Sequence, residues 1–219
     1  DDLKEEYRYF FSRQTYSSMI YLIKRKIRPK KKRQHQADVN RMFSTEYDGM
    51  RFGHRAVMAD ALHNERIHHT QTPANPPVFR KNLKDELLPI VAENPQIEFT
   101  FYLAPYHIYT YCQSEQFGEA DVLIRQRSQV MKELLKYPNV KLYDYQADRG
   151  FVCNHNLFSD VQHFSSAAAR IVLQNLADGK RQIRTEADVD ANEQELRALI
   201  REQMPVYYAD LKQYKERRK

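Results

Sequence analysis

Two short runs of apolar and aromatic residues in the middle of the chain predict buried strands. The first covers residues 97–103 (IEFTFYL) and lies between Pro95 and Pro105, and the second covers residues 140–144 (VKLYD) and follows Pro138-Asn139. Between them, residues 118–137 repeat apolar positions every three to four residues, which predicts a helix with one buried face. A strand, a helix and a second strand at this spacing form a βαβ unit, so we expect the two strands to be parallel.

Further helical patterns on both sides of this unit predict helices that cover the sheet. These helices are expected at residues 3–26, 54–69, 82–91, 165–177 and 186–219. The last of them is strongly charged, contains Pro205 and has only a thin apolar stripe, so we interpret it as a helical appendage. The expected fold class is therefore α/β, with a parallel sheet covered by helices. The expected domains are 1–184 and a charged helical extension, 185–219.

The composition of the 219 residues suits one compact domain with an appendage, since 42% are hydrophobic and 29% are charged. The longest dense apolar stretch, residues 19–23, is far shorter than the roughly 20 residues of a membrane-spanning helix, so no span is predicted. The chain begins DDLKEEYRYF, without an initiator methionine or an apolar leader, and we interpret it as a mature or trimmed chain.

The net charge of +6 comes from one segment, residues 24–33 (KRKIRPKKKR). Outside it, 27 lysines and arginines face 29 acidic residues, so the rest of the chain is nearly neutral. We expect a basic loop over residues 24–40 that is either solvated or held against an anionic membrane surface, where each cation contributes about 1 kcal/mol. Binding to nucleic acid is disfavoured because the excess charge is local and no aromatic residues are interleaved with it.

The few glycines and cysteines exclude several classes of site. None of the five glycines forms a Gly-x-Gly pair or precedes Lys-Ser/Thr, so nucleotide-binding motifs are absent and no cofactor is expected. Cys112 and Cys153 are too few for a disulfide scaffold. Both are predicted on loops at the same sheet edge, so they form either one disulfide or two free thiols.

The residues best suited to catalysis lie on loops that leave the carboxyl ends of the two strands, where open α/β sheets place their chemistry. The second loop, residues 146–164, contains Asp160-Val-Gln-His163. An Asp three residues before a His can bind Nδ1 of the ring and leave Nε2 to accept a proton. Chance predicts about 0.5 such pairs in a chain of this composition. Indeed Asp60-Ala-Leu-His63 repeats the spacing, but it lies in a predicted helix with no preceding strand.

A second group of polar residues, His63, Glu65, His68 and His69, raises the question of a metal site. The group lacks the spacing of a His-Glu-x-x-His motif and has no third partner elsewhere in the pattern. A solvated helix end is the favoured interpretation, and no metal is expected.

The block FSDVQHFSSAAARIVLQNL, residues 158–176, follows a strand that ends in a Pro-Tyr-His turn and a strand that ends in Tyr-Asp. This order resembles the C-terminal half of the SGNH (GDSL-like) hydrolases over about residues 80–178. It is similar to the cell-envelope branch that includes alginate O-acetylation proteins and the D-alanine-transfer proteins of teichoic acid synthesis. The resemblance implies a three-layer, flavodoxin-like parallel sheet.

The resemblance also implies residue roles. Asp160 would orient the ring and His163 would be the general base of a Ser-His-Asp triad. Four neighbouring residues are candidates for the rim of the site: Tyr106, His107, Asn154 and Asn156. Of these, His107 follows Pro-Tyr at a strand end, where a structural hydrogen-bonding role is more common than direct involvement.

The chain departs from the family pattern because the nucleophile block is missing. No glycine is followed by Asp or has Ser two positions on, and two strands are found where the fold needs about five. Either the chain is the C-terminal portion of a longer protein whose serine precedes Asp1, which we favour, or it is complete with strands that the pattern does not reveal. In the first case the chain alone is inactive.

Two functions remain open. The first is an SGNH-like esterase or O-acyltransferase that acts on acyl esters of a carbohydrate or cell-envelope polymer, in the cell envelope or another extracytoplasmic compartment. The alternative is a non-catalytic binding or scaffold module whose basic tract binds an anionic polymer, a membrane or a partner protein.

Overall fold

A computed structural model describes residues 51–67, 81 and 83–218 of the chain. The N-terminal helix predicted at 3–26, the basic tract at 24–33 with its loop to residue 40, the proline-rich loop at 69–78, and the capping residue Asn82 lie outside the described residues. Seven α-helices and three strands are found in the described part of the chain. In chain order they are α1 (His54–Ile67), α2 (Leu88–Glu93), β1 (Phe99–Leu103), α3 (Ile108–Gln116), α4 (Ala120–Leu134), β2 (Val140–Asp144), α5 (Arg149–Val152), α6 (Ser166–Ala177), β3 (Gln182–Ile183) and α7 (Glu186–Glu216).

The sheet confirms the predicted parallel pairing of the first two strands. Phe99 lies opposite Val140 and Leu103 lies opposite Asp144, which keeps the register in step along both strands. A third strand, β3, has only two residues and pairs antiparallel with β2, so the described sheet is mixed with the order β1-β2-β3. Two residues are too few to show an alternating pattern, which is why the sequence did not predict this strand. The fold of the described residues is mixed α/β and mostly helical.

Most predicted helices are present, with ends that follow local chemistry. Ser165 caps α6 by accepting a hydrogen bond from the backbone N–H of Ala168 at 3.1 Å. The same helix ends at Asp178-Gly179, as predicted, and Gly179 adopts a φ of +68° that favours glycine. The first strand begins at Phe99 rather than at residue 97, because Ile97 lies in a turn and donates its N–H to the carbonyl of Asn94.

One segment expected as a loop is a helix. Residues 108–116 form α3, whose first cap is His107: the ring Nδ1 accepts a hydrogen bond from the backbone N–H of Tyr109 at 3.2 Å. Cys112 was predicted on a loop, but it lies on the buried helix α3. Cys153 is the C-terminal cap of the short helix α5. The aromatic and polar residues of α3 show no clear amphipathic spacing, so burial from several sides concealed the helix in the sequence.

The C-terminal helix α7, expected as a charged extension, contributes side chains to the main core. It is one helix of 31 residues that begins with a capping box formed by Thr185 and Asp188, and it continues through Pro205. Its apolar side chains belong to the main core together with residues of α1 and α3; they are Leu196, Leu199, Ile200, Tyr207 and Leu211. The helix is therefore an integral part of the described fold. A thin apolar stripe was sufficient because the helix packs into a groove between other helices.

A buried ion pair ties the sheet to both long helices. Arg127 of α4 pairs with Asp144 at the end of β2 and donates a hydrogen bond to Asn192 of α7. Burial lowers the pKa of Arg127 to about 10, which leaves the guanidinium protonated at neutral pH. The pair fixes the carboxyl end of β2, from which the candidate site loop departs.

Candidate functional site

The candidate site lies on a closed loop that follows β2 and the short helix α5. The loop is pinched at its base by an antiparallel bridge between Phe158 and Phe164. Backbone hydrogen bonds join Ser159 N to His163 O at 2.9 Å and Ser165 N to Leu157 O at 2.7 Å. These backbone hydrogen bonds close the loop at its base and fix its conformation.

The predicted pair Asp160 and His163 is hydrogen-bonded at the end of this turn. His163 Nδ1 lies 2.8 Å from Asp160 Oδ2. The other carboxylate oxygen, Oδ1, accepts hydrogen bonds from the backbone N–H groups of Gln162 and His163, each at 2.7 Å. Because the carboxylate accepts a hydrogen bond from Nδ1–H, the proton of the neutral ring is on Nδ1 and the basic lone pair is on Nε2. The His163 side chain is 63% exposed and that of Asp160 is 27% exposed, so the ring is accessible and the carboxylate is partly shielded.

Val161, between these two residues, anchors the turn to the rest of the domain. Its N–H donates to Asp60 Oδ2 of α1 at 3.2 Å. Its carbonyl accepts hydrogen bonds from the backbone N–H of His107 at 2.9 Å and from Thr110 Oγ1 at 2.6 Å. The second Asp-x-x-His motif of the chain thus supplies a structural carboxylate, since Asp60 holds the loop that carries the first motif.

The four predicted rim residues are in different surroundings. Tyr106 is partly exposed, and Asn154 and Asn156 are exposed on the 3₁₀ turn His155–Leu157, where Asn154 Oδ1 accepts a hydrogen bond from the N–H of Asn156 at 3.1 Å. Among the described residues, no hydrogen bond joins either asparagine to His163. His107, also predicted at the rim, is fully buried, and its ring caps α3.

The buried ring of His107 is held in its neutral form. Burial is the main cause that lowers its pKa to about 3, and the neighbouring His155 and His54 lower it further. Since Nδ1 accepts the Tyr109 N–H, the proton of the neutral ring is on Nε2. That buried nitrogen has no hydrogen-bond partner among the described residues.

Next to His107 lies a polar cluster that no pattern in the sequence indicates. Asp210 Oδ2, on α7, accepts a hydrogen bond from Tyr109 Oη at 2.7 Å and lies 2.9 Å from His54 Nε2 and 4.0 Å from His155 Nε2. Burial, and then the hydrogen bond to Asp210, raise the pKa of Tyr109, so its hydroxyl remains a donor. Burial lowers the pKa of His155. His54 lies at the start of α1, His155 on the site loop and Asp210 on the C-terminal helix, so no spacing in the sequence connects these three residues.

The histidine-rich group at the end of α1 has a structural environment in its described part. Glu65 forms an ion pair with Lys215 at 2.7 Å and accepts a hydrogen bond from Gln116 at 3.4 Å. His63 is exposed, while His68 and His69 lie outside the described residues. Glu65 therefore joins α1 to α7 and α3.

The two cysteines are free in the structure, with Cys112 buried and Cys153 partly buried. Burial raises the pKa of Cys112 to about 12 and that of Cys153 to about 11, so both thiols are protonated at neutral pH. Their pairing in a disulfide stays a prediction from the sequence.

The fold and the site together define a mixed α/β protein with an accessible, hydrogen-bonded Asp-His pair on the loop after its second strand. Comparison with models of known protein families, with curated proteins and with solved structures gives no match. Within the described part of the chain, no helix combines the length and the apolar character needed to span a membrane.

Proposed function

We propose that this chain carries the acid-base pair of an SGNH-like esterase or O-acyltransferase. The observation that carries the proposal is the 2.8 Å hydrogen bond between His163 Nδ1 and Asp160 Oδ2 on an accessible loop. The pair follows a parallel β-strand pair joined through helices, at the position where open α/β sheets place catalytic loops.

In the proposed reaction, His163 Nε2 removes the proton from a serine hydroxyl as the serine oxygen attacks the acyl carbonyl. The acyl–oxygen bond of the substrate then breaks, and the alkoxide that leaves takes the proton from His163. In the second half, water or an acceptor hydroxyl attacks the acyl-serine and gives its proton to His163. The acyl–serine bond then breaks, and the serine oxygen takes that proton from His163. Asp160 keeps the ring in one tautomer and stabilises its positive charge in both steps.

The serine is proposed to come from upstream of Asp1. Two features of the described residues support this. β1 pairs only with β2 among the described strands, which leaves an edge where further parallel strands of a three-layer sheet can pair. In addition, Ile171 and Leu173 of α6 are exposed. In an SGNH-like fold this helix covers the sheet, so further strands upstream would bury these apolar side chains.

The substrate class follows from the resemblance in residues 158–176. We propose an acyl ester of a carbohydrate or cell-envelope polymer, and an extracytoplasmic location. The basic tract at residues 24–33 would hold the protein near an anionic membrane surface. A non-catalytic binding module is the alternative, and it makes the opposite prediction for substitution of His163.

The test uses the full-length protein in its native reading frame, with a fluorophosphonate probe that labels activated serines. We expect one labelled serine upstream of Asp1, lost in His163→Ala and kept in His63→Ala, an exposed histidine outside the pair. Release of acetate from acetylated xylan should fall with the label, by at least about 100-fold, since general base catalysis contributes roughly 10²–10⁴-fold.

Two results would overturn the proposal. One is a protein that neither takes up the probe nor releases acetate, which favours the binding module. The other is labelling and turnover that persist in His163→Ala at the level of the His63→Ala control.

A further inference from the structure

We propose that His54, His155 and Asp210 form a binding site for a divalent transition-metal ion, and that zinc is the ion that fits best. This site is separate from the Asp160–His163 pair and does not depend on the function proposed above. One ligand atom from each residue lies within 4.8 Å of the other two.

The distances suit a tetrahedral site after a small adjustment. With metal–ligand bonds of about 2.0–2.1 Å, two ligand atoms of a tetrahedral site are roughly 3.3–3.4 Å apart. The separations of Asp210 Oδ2 from His54 Nε2 and His155 Nε2 are 2.9 and 4.0 Å, one below and one above this value. Changes of roughly 0.5–0.7 Å bring these two separations to the tetrahedral value, and the ligand atoms of the two histidines lie within 4.8 Å of each other.

One nitrogen of the cluster has no hydrogen-bond partner among the described residues. His155 Nε2 is withdrawn from solvent and has no hydrogen-bond partner among the described residues. A buried polar nitrogen without a partner costs free energy, and buried polar atoms in folded proteins are nearly always satisfied. A metal ion bound to this nitrogen would satisfy it, whereas the existing contact with Asp210 at 4.0 Å is too long for a hydrogen bond.

The surrounding residues hold the ligands in place, as outer-shell residues do in metal sites. Tyr109 Oη donates a hydrogen bond to Asp210 Oδ2 and orients the carboxylate. The ring of His107 lies 4.5 Å from that of His155, measured between ring centres, and is itself fully buried. His107 Nε2–H, which lacks a partner in the described structure, offers a donor beside the cluster.

The ligand types select the metal. Two imidazoles and one carboxylate are a ligand set of catalytic zinc sites, while calcium and magnesium prefer oxygen ligands alone. Three protein ligands leave a fourth position for water or an anion. His54 also lines a cavity of about 370 Å³ together with Arg55 and Arg217, so one of the three ligands borders an open cavity.

A bound ion would join three distant parts of the chain. His54 is the first residue of α1, His155 begins the turn that leads into the Asp160–His163 loop, and Asp210 lies on α7. The expected consequence is stabilisation of the site loop against both helices, because binding to the folded state alone shifts unfolding to higher temperature.

The experiment is a calorimetric titration of the full chain, without a polyhistidine tag and stripped with EDTA, with zinc chloride. We expect one ion per chain and a higher melting temperature with zinc. His54→Asn, His155→Asn and Asp210→Asn should each weaken binding at least about tenfold. The matched control is His63→Asn, on the same helix as His54 but outside the cluster. Cobalt(II) in place of zinc should show the visible absorption of a tetrahedral site, lost in the same three variants.

His54→Asn keeps the test decisive if the other variants fold poorly, because the His54 side chain is 42% exposed at the start of a helix. Three results would overturn the proposal: no zinc binding by the stripped chain, binding that His54→Asn leaves unchanged, or binding that His63→Asn abolishes. The last would assign the ion to the histidine-rich end of α1.

Discussion

Arg127 on α4 and Asp144 at the end of β2 form an ion pair whose side chains are only 5% and 0% exposed. The pair lies where the sheet, α4 and α7 meet, since Arg127 also donates a hydrogen bond to Asn192. Removing one partner leaves the other as an uncompensated buried charge, which is far more costly than losing a pair at the surface.

We predict that Asp144→Asn lowers the free energy of unfolding by about 3–5 kcal/mol. The asparagine keeps Oδ1, which accepts a hydrogen bond of 2.8 Å from the N–H of Gln146. The change in the free energy of unfolding therefore reports on the lost negative charge alone. Urea unfolding followed by circular dichroism measures the change. Glu98→Gln, which breaks the exposed pair with Lys141, is the control and should have a far smaller effect. Equal effects of the two substitutions would contradict the prediction.

The buried side chains of the C-terminal helix are predicted to contribute strongly to the free energy of unfolding. Leu196 is fully buried, so Leu196→Ala should lower the free energy of unfolding by about 2–5 kcal/mol through lost burial and a new cavity. Val206 is 45% exposed on the same helix, and Val206→Ala should change it by less than about 0.5 kcal/mol. Thermal and urea unfolding of both variants would measure the difference. A silent Leu196→Ala would mean that α7 is an appendage after all.

The carboxylate of Asp60 is predicted to protect the loop that carries the Asp160–His163 pair. Asp60→Ala removes the acceptor for the Val161 N–H, a single hydrogen bond worth about 0.5–1.5 kcal/mol, so hydrogen exchange at this amide should accelerate roughly 2- to 10-fold. Exchange measured by NMR or mass spectrometry would show it. Asp85→Ala, at an exposed position in the short π-helix Leu83–Leu87, is the control and should leave the Val161 amide unchanged.

The two thiols are predicted to be free and unreactive in the native protein. Burial raises the pKa of Cys112 to about 12, so at pH 8 the thiol is almost entirely protonated and a poor nucleophile. Ellman's reagent should react slowly with the native chain and count two thiols in concentrated guanidinium chloride without a reductant. A count of zero under those conditions would establish instead the disulfide between Cys112 and Cys153.

Local patterns in the sequence determined a definite part of this fold. The second strand lies at Val140–Asp144 as predicted, because a short apolar run between turn residues needs no distant information. The cap at Ser165 and the end of α6 at Asp178 follow from side chains within one helical turn. The hydrogen bond between Asp160 and His163 is of the same kind, since residues three apart in a turn meet without help from the rest of the chain.

Tertiary structure alone decided the features that depend on distant segments. The apolar stripe of α7 did not show that Leu196 and Tyr207 are fully buried, because burial depends on the groove that α1 and α3 provide. The position of His107 just after a strand predicted an exposed residue. In the structure it is fully buried, and its backbone N–H is bonded to the carbonyl of Val161 in the site loop. His54, His155 and Asp210 meet only because three elements pack together, and side chains separated by such lengths of chain share no periodic pattern from which their contact could be predicted.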